Sequence, residues 1–363
     1  MPGHGTPAAA AAARPRGCAY LLLVALVLAQ SARGAQAPAP PSAVPARLAA
    51  RALLIGIAAA GERLVAVGDR GIIVLSDDKG VSWAQAAQVP TQALLTGVCF
   101  FDAQHGLAVG HDEVALVTAD AGRSWRLAHY APEAQRPLLD VWCGSGGHAI
   151  AIGAYSTYLT SADGGASWTE GKFVAAPRKA AGGAKAAAAA GPAAGDEGAG
   201  GGYHLNRIAP AGGGRLYIAG ETGHLYRSDD SGGSWQELAT PYAGSFFGAL
   251  PLGGEGVLAF GLRGNLYRSE DAGLSWQKID TGTVALLDGG ARFDDEGVAI
   301  VGLSGVVLVS HDGGHSFALR QQSDYAALAA ALTLTGEAIA VVGENGTRVI
   351  NLRDTPPAAA VAH

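Results

Sequence analysis

Charge is scarce in this 363-residue chain: 15% of residues are Asp, Glu, Lys or Arg, against 49% hydrophobic ones. That balance excludes a solvated, disordered chain, which combines low hydrophobicity with high net charge. Cations are the scarcer sign, 25 Lys and Arg against 31 Asp and Glu, and they form no block. A general nucleic-acid binder needs clustered cations to release counterions, so that class is excluded. Long apolar runs are missing too: Cys18–Ala29 has twelve residues, where about 20 are needed to span a bilayer. There is no H-E-x-x-H and no G-x-S-x-G, and the ten histidines show no paired ligand spacing, so neither a metal site nor a catalytic residue is expected. Glycine is abundant, 54 residues, roughly twice average usage.

Arg14 and Arg16 precede the apolar run, and small residues from Ser31 to Ala37 follow it. That order reads as a signal peptide over residues 1–35, with cleavage near Gly34 and a retained anchor as the alternative. The mature chain is then exported, to a periplasm or a thylakoid-lumen equivalent. Cleavage leaves Cys99 and Cys143, in equivalent positions of neighbouring repeats. An oxidising compartment permits a disulfide, but repeat equivalence does not secure its Cβ geometry. Buried free thiols are the expectation, with the disulfide left open.

One octapeptide recurs six times: Ser76–Trp83, Thr118–Trp125, Ser161–Trp168, Ser228–Trp235, Ser269–Trp276 and Ser310–Phe317. Its closing aromatics are 42, 43, 67, 41 and 41 residues apart, and five of the six tryptophans sit there. Upstream of each comes an apolar run ending in a small residue and Gly, from Val67-Gly68 to Val301-Gly302, with a seventh at Val342-Gly343. Short β-rich runs such as Leu64–Val67, Ile72–Leu75, Leu216–Ala219 and Val306–Val309 read as antiparallel hairpins. Repeats of this length with several strands are propeller blades. The fold expected is therefore all-β: a seven-bladed β-propeller over residues 36–355, with residues 356–363 a disordered tail. The 67-residue gap holds an Ala/Gly-rich, low-complexity insertion at 175–202 with no strand pattern. The last repeat supplies three strands within Tyr325–Leu334, Ala338–Val342 and Arg348–Leu352. Ser42–Leu48 is expected to add the fourth, an N-to-C closure of the last blade that removes a free edge.

The octapeptide is similar to the Asp-box, or bacterial neuraminidase repeat. Asp78, Asp120, Asp163, Asp230, Asp271 and Asp312 can accept backbone N–H bonds inside a hairpin turn, and the glycine two residues on suits a positive φ. Six copies around a ring mark a structural part rather than six active sites. Three other motifs carry no chemistry. Gly144-Ser145-Gly146-Gly147-His148-Ala149 imitates a dinucleotide fingerprint but joins two strands and opens no helix. Asp294-Asp295-Glu296 reads as a solvated loop, and Asn345-Gly346-Thr347 as a two-residue turn that also has the form of a glycosylation sequon.

One repeat, Leu94 to Asp102, His105 to Gly110 and then Thr118–Trp125, resembles the photosystem II stability/assembly factor family, and the resemblance extends over nearly the whole mature chain. It implies a seven-bladed propeller without cofactor that binds partner proteins: a non-catalytic, monomeric scaffold for a membrane protein complex or its assembly intermediates, membrane-associated through that partner. In a host without photosynthesis it implies an envelope assembly or accessory factor. The alternatives are a glycoside hydrolase of sialidase-like type and a carbohydrate-binding or adhesion propeller. A sialidase needs an arginine triad and a Tyr/Glu pair; Ala291-Arg292-Phe293 is the nearest approach to its usual F/Y-R-I-P stretch.

The partner is expected on the face carrying the turns between the second and third strands: Asp69-Arg70, His111-Asp112, Ala154-Tyr155, Glu221-Thr222, Leu262-Arg263, Leu303-Ser304 and Glu344-Asn345. These differ while the frame around them repeats. Inter-blade loops add His129, Tyr130, Arg136, Tyr242, Phe246 and Phe247, with inner-strand core as the alternative for Phe246 or Phe247. Arg70, Tyr155 and Arg263 are the candidate contacts, being of the types enriched at binding hot spots.

Overall fold

The computed structural model describes residues 1–5, 39–177 and 202–353. The chain divides into two units, Met1–Ala39 and Pro40–His363, and every strand lies in the second. The expected signal peptide falls almost wholly outside the described residues, as do the tail and most of the insertion.

Seven antiparallel sheets follow one another along the chain, each a meander with its first strand innermost. The first blade is β1 (Leu54–Ala60), β2 (Arg63–Gly68), β3 (Ile73–Ser76) and β4 (Ala84–Gln85). The remaining blades begin at Leu95, Leu138, Leu205, Phe246, Leu287 and Leu328. The second strand of each blade is apolar along its length because neighbouring blades bury both of its faces. Val65 and Val67 pack towards the second blade, while Ala66 between them packs towards the seventh. The core is accordingly seven clusters, one at each junction between blades.

Two repeated devices fix the blade geometry. All seven inner strands slip register one residue after they begin, as between Leu54 and Gly56 or Leu95 and Gly97. A bulge at one place in every blade bends the inner strands alike around the channel. The glycine ending each second strand has the other role. Its φ is extended, so conformation does not require it. A Cβ at Gly261, however, would lie 2.2 Å from Ser245 O. Glycine is required there by close approach.

Three details depart from expectation. Among the described residues the seventh sheet has three strands, and Ser42–Leu48 is not its fourth. That segment lies along the first blade instead: Ala43 N–H donates to Val89 O (2.9 Å), and the Gln85 side chain bonds Val44 O and Ala46 N–H. Pro41 and Pro45 remove the donors that a ladder needs. The ends do meet, but through packing: Ala49 and Leu54 join Ala330 and Val342 in one cluster. Second, Ala175–Ala176, at the start of the insertion, forms a short strand parallel to Trp235–Gln236. Third, Cys99 and Cys143 are disulfide-bonded, with Cα atoms 5.7 Å apart, where free thiols were expected. The inner strands of the second and third blades bring the equivalent positions within bonding reach.

Candidate functional site

Each turn between second and third strands is held at the mouth of its own inner strand. The first turn residue donates its N–H to the carbonyl just before that strand, Asp69 to Leu53, His111 to Leu94 and so on to Glu344 and Ala327, in all seven blades. These turns therefore share a face with the inter-blade loops. In six of them the second residue is left-handed: Arg70, Asp112, Tyr155, Thr222, Arg263 and Ser304 have φ between 51° and 60°. The third is left-handed too, which makes a type I′ turn whose apex side chain stands out from the sheet. Arg70, Tyr155 and Arg263 are all exposed there, the Arg70 side chain at 83%. They occupy the first, third and fifth blades, so no two stand on adjacent blades. Among the described residues Arg70 pairs only with its neighbour Asp69 (3.5 Å). Tyr155 meets His204 edge-on at 5.1 Å, where the chain returns from the insertion.

The loop aromatics are less available than expected. Phe246 is the fully buried first residue of its inner strand, and Phe247 is the half-buried residue of its bulge. Tyr242 packs on Phe246 and donates its hydroxyl to Leu262 O (3.1 Å).

Two charged groups escaped the sequence reading. At the third turn position most blades have glycine, but the second blade has Glu113, left-handed at φ 48° and buried. Its carboxylate accepts Arg136 Nε–H at 2.7 Å, and His129 lies 3.4 Å away. Arg136 also reaches Glu170 at 2.6 Å, tying the second blade to the outer strand of the third. In the channel, the position after the bulge is Gly56, Gly97, Gly248 or Gly289 on four blades and Ala330 on the seventh, but Asp140 and Arg207 on the third and fourth. Arg207 lies 3.9 Å from Asp140 and 3.6 Å from Asp288 of the sixth blade. Burial raises both carboxyls above the usual range, and Arg207 opposes that rise. A repeat alignment signals both groups, since charge replaces glycine.

The six octapeptides lie at the opposite ends of the blades and share one hydrogen-bond pattern. Asp120 Oδ1 accepts the Thr118 hydroxyl (2.8 Å) and Ser124 N–H (2.9 Å), while Oδ2 accepts the Ser124 hydroxyl (2.6 Å). Gly122 N–H in turn donates to Thr118 Oγ1 (3.0 Å), with Gly122 at φ 82°. The serine hydroxyl and N–H hold Asp78 and Asp163 down to about 2. For Asp120, Asp271 and Asp312 burial works upward, but the hydrogen bonds outweigh it. Arg292, nearest to the sialidase pattern, donates to Asp295 O in its own turn. Asp294-Asp295-Glu296 is an exposed loop, and Gly144–His148 joins two strands, as expected.

A cleft of about 870 Å³ is on this octapeptide side, between the second and third blades. It includes none of Arg70, Tyr155 and Arg263. Among the described residues no cluster of three His, Cys, Asp or Glu is placed to hold a metal ion.

No protein-family profile matches the chain, and no curated protein does. Solved structures are similar in fold. "YCF48 bound to D1 peptide" aligns with TM-score 0.62 and 16% identity over 86% of this chain and 98% of its own. YCF48 from Cyanidioschyzon merolae aligns at 0.63 and 15% over the same shares. The WD40 propeller domain of Doa1 aligns at 0.60 and 10%, over 86% and 95%. At these identities the likeness shows a seven-bladed propeller.

Proposed function

We propose that this chain is an exported, non-catalytic, monomeric propeller scaffold that binds a membrane protein complex or its assembly intermediates. The observation that carries this reading is the division of labour between the two ends of the blades. The six repeated aspartates spend their oxygens on identical bonds inside their own turns, which supports a structural role for each. The turn apices at the other end are exposed and differ from blade to blade. Variation on a rigid frame is how propellers and other scaffolds carry recognition. The repeat's resemblance to the photosystem II assembly factor family, and the likeness in fold to YCF48 solved with a D1 peptide, support a protein partner. The Cys99–Cys143 bond supports an oxidising compartment.

The contacts proposed are Arg70, Tyr155 and Arg263. The test is the triple alanine variant, checked for an unchanged melting temperature and then used to capture partners from native membranes. Loss of capture is expected. Undiminished capture would remove this face from consideration.

A further inference from the structure

At three junctions an arginine bridges the octapeptide end of the cleft between blades. Arg63 Nη1, Arg227 Nη1 and Arg268 Nε donate to the carbonyl following the aspartate of the next octapeptide, on Ala121 (3.2 Å), Ala272 (2.9 Å) and Gly313 (3.1 Å). Each arginine is held by an acid of its own blade: Asp77, Asp229 or Glu270. Between the second and third blades both halves of this device are missing. The repeat positions hold His105 in place of Arg63, Val117 in place of Arg227 and Arg268, and Ala119 in place of the acids. All three line the cleft of about 870 Å³, and Gly164, whose carbonyl is the equivalent acceptor, lines it too.

The chain fills two neighbouring clefts in another way. After its outer strand, the first blade's exit segment runs beside the second blade's octapeptide: Ala87 N–H donates to Arg123 O and Trp125 N–H to Gln88 O, both at 2.9 Å. Ala86 and Val89 of that segment are buried. The third blade's exit segment does the same on the fourth, where Ala175–Ala176 pairs in parallel with Trp235–Gln236 and Phe173 packs into the core. The second blade's exit cannot do this. His129 stays paired with Ala115, and the chain then turns away through Pro132–Ala134. The equivalent edge of the third blade, Ala166–Trp168, therefore has no segment of the described chain beside it.

We infer that this edge and cleft take an extended segment of a partner protein, added as a parallel strand of small apolar residues with one larger anchor and an acidic side chain. The apolar part follows from the two built-in occupants, which are Ala-Ala-Gln-Val and Phe-Val-Ala-Ala. The acid follows from charge. Arg126 stands exposed on the cleft wall and makes no ion pair among the described residues. Asp163 across from it is saturated by its own turn, and Asp102 is paired with His105 at 3.0 Å. Main-chain pairing then supplies affinity, and the pocket and Arg126 supply selection. This inference rests on the chain being a protein-binding scaffold, but not on the turn face proposed above.

The probe is a fluorescein-labelled synthetic peptide carrying Phe-Val-Ala-Ala between two aspartates, with a two-lysine version as control. Saturable anisotropy is expected for the acidic peptide, with the lysine peptide weaker by about tenfold. Val117→Arg with Ala119→Asp installs the bridging pair that Arg227–Asp229 and Arg268–Glu270 form at two other junctions. It should abolish binding at unchanged melting temperature, while the Arg70/Tyr155/Arg263 triple variant binds the peptide normally. Arg126→Glu should reverse the preference between the two peptides, and this decides the matter if the double variant does not fold. No saturable binding up to about 1 mM, or binding unaffected by both the cleft variants, overturns the inference. Loss of membrane capture in the triple variant with peptide binding intact, or the reverse, tells the two proposals apart.

Discussion

Cys99 and Cys143 are bonded across the junction whose octapeptide end holds the cleft of about 870 Å³. The bond joins the inner strands of the second and third blades, and Arg136 ties the same two blades through Glu113 and Glu170. A junction lacking an arginine clamp and a filling strand is thus held at its inner edge and on its turn face. It can stay open at the remaining corner without the blades parting.

Reduction should be costly. The bond closes a loop 44 residues long, for which chain entropy gives about 4 kcal/mol. Thermal unfolding with and without reductant, or of Cys99→Ser with Cys143→Ser, measures it. An unchanged melting temperature would mean that the bond contributes nothing to the ring.

Octapeptide substitutions should act on stability alone. Asp120→Ala is expected to cost about 1–2 kcal/mol, by analogy with removing a cap. Trp125→Ala should cost about 3–5 kcal/mol, because Trp125 is buried and its indole N–H bonds Gly122 O at 2.9 Å. Trp168→Ala should cost less, since Trp168 is half-buried and its indole N–H has no partner among the described residues. Asp163→Ala is also expected to lower the melting temperature without specific loss of partner capture. A stable Asp163→Ala variant lacking one activity outright would assign that aspartate to chemistry.

Acid should unfold the ring late. Asp78 and Asp163 are held at about 2 when folded, against about 3.9 unfolded. Depressed carboxyl groups contribute stability that is complete above the unfolded value and disappears as pH falls through the folded one. Asp140 and Asp288 are raised by burial and work in the opposite sense. Urea midpoints should be nearly flat from pH 7 to about 4 and fall steeply towards pH 2. A steady decline starting near pH 6 would contradict this.

Arg207→Ala leaves Asp140 buried with backbone donors alone, Ile208 N–H (3.0 Å) and its own neighbour Val141 N–H (2.9 Å). We expect a loss of about 1–3 kcal/mol at pH 7, relieved as the pH falls and the carboxyl protonates. A loss independent of pH would mean that Arg207 acts by packing.

The glycines before the turns should differ in tolerance. Gly261→Ala places a Cβ 2.2 Å from Ser245 O, whereas at Gly220 the nearest atom, His204 O, is 3.1 Å away. Overpacking should cost Gly261→Ala about 1–3 kcal/mol, and Gly220→Ala clearly less. Equal losses would show that close approach is not the reason for glycine.

The blades were legible because each repeats the same turn chemistry, so six octapeptides and seven glycine turns locate nearly every strand. Exposure of Arg70, Tyr155 and Arg263 followed from the same register. The closure strand was not legible: Val44-Pro45 resembles Val89-Pro90 because both lead into a blade, and that likeness does not say which edge the segment bonds. The disulfide turned on a Cβ separation that no spacing encodes. Glu113, Asp140 and Arg207 are visible in the sequence as charges replacing glycine, but their partners lie on other blades. The open cleft depends on where His129 pairs, a register that appears only in three dimensions.

Among the described residues, packing rather than a shared strand joins the ends of the ring. Each blade is therefore built from residues consecutive in the chain, and a growing chain can complete one blade after another from its N-terminal end. The final event is the docking of Ala330 and Val342 onto Ala49 and Leu54. This seam is the natural hinge for opening the ring, and the place where a circular permutation would have to supply new continuity.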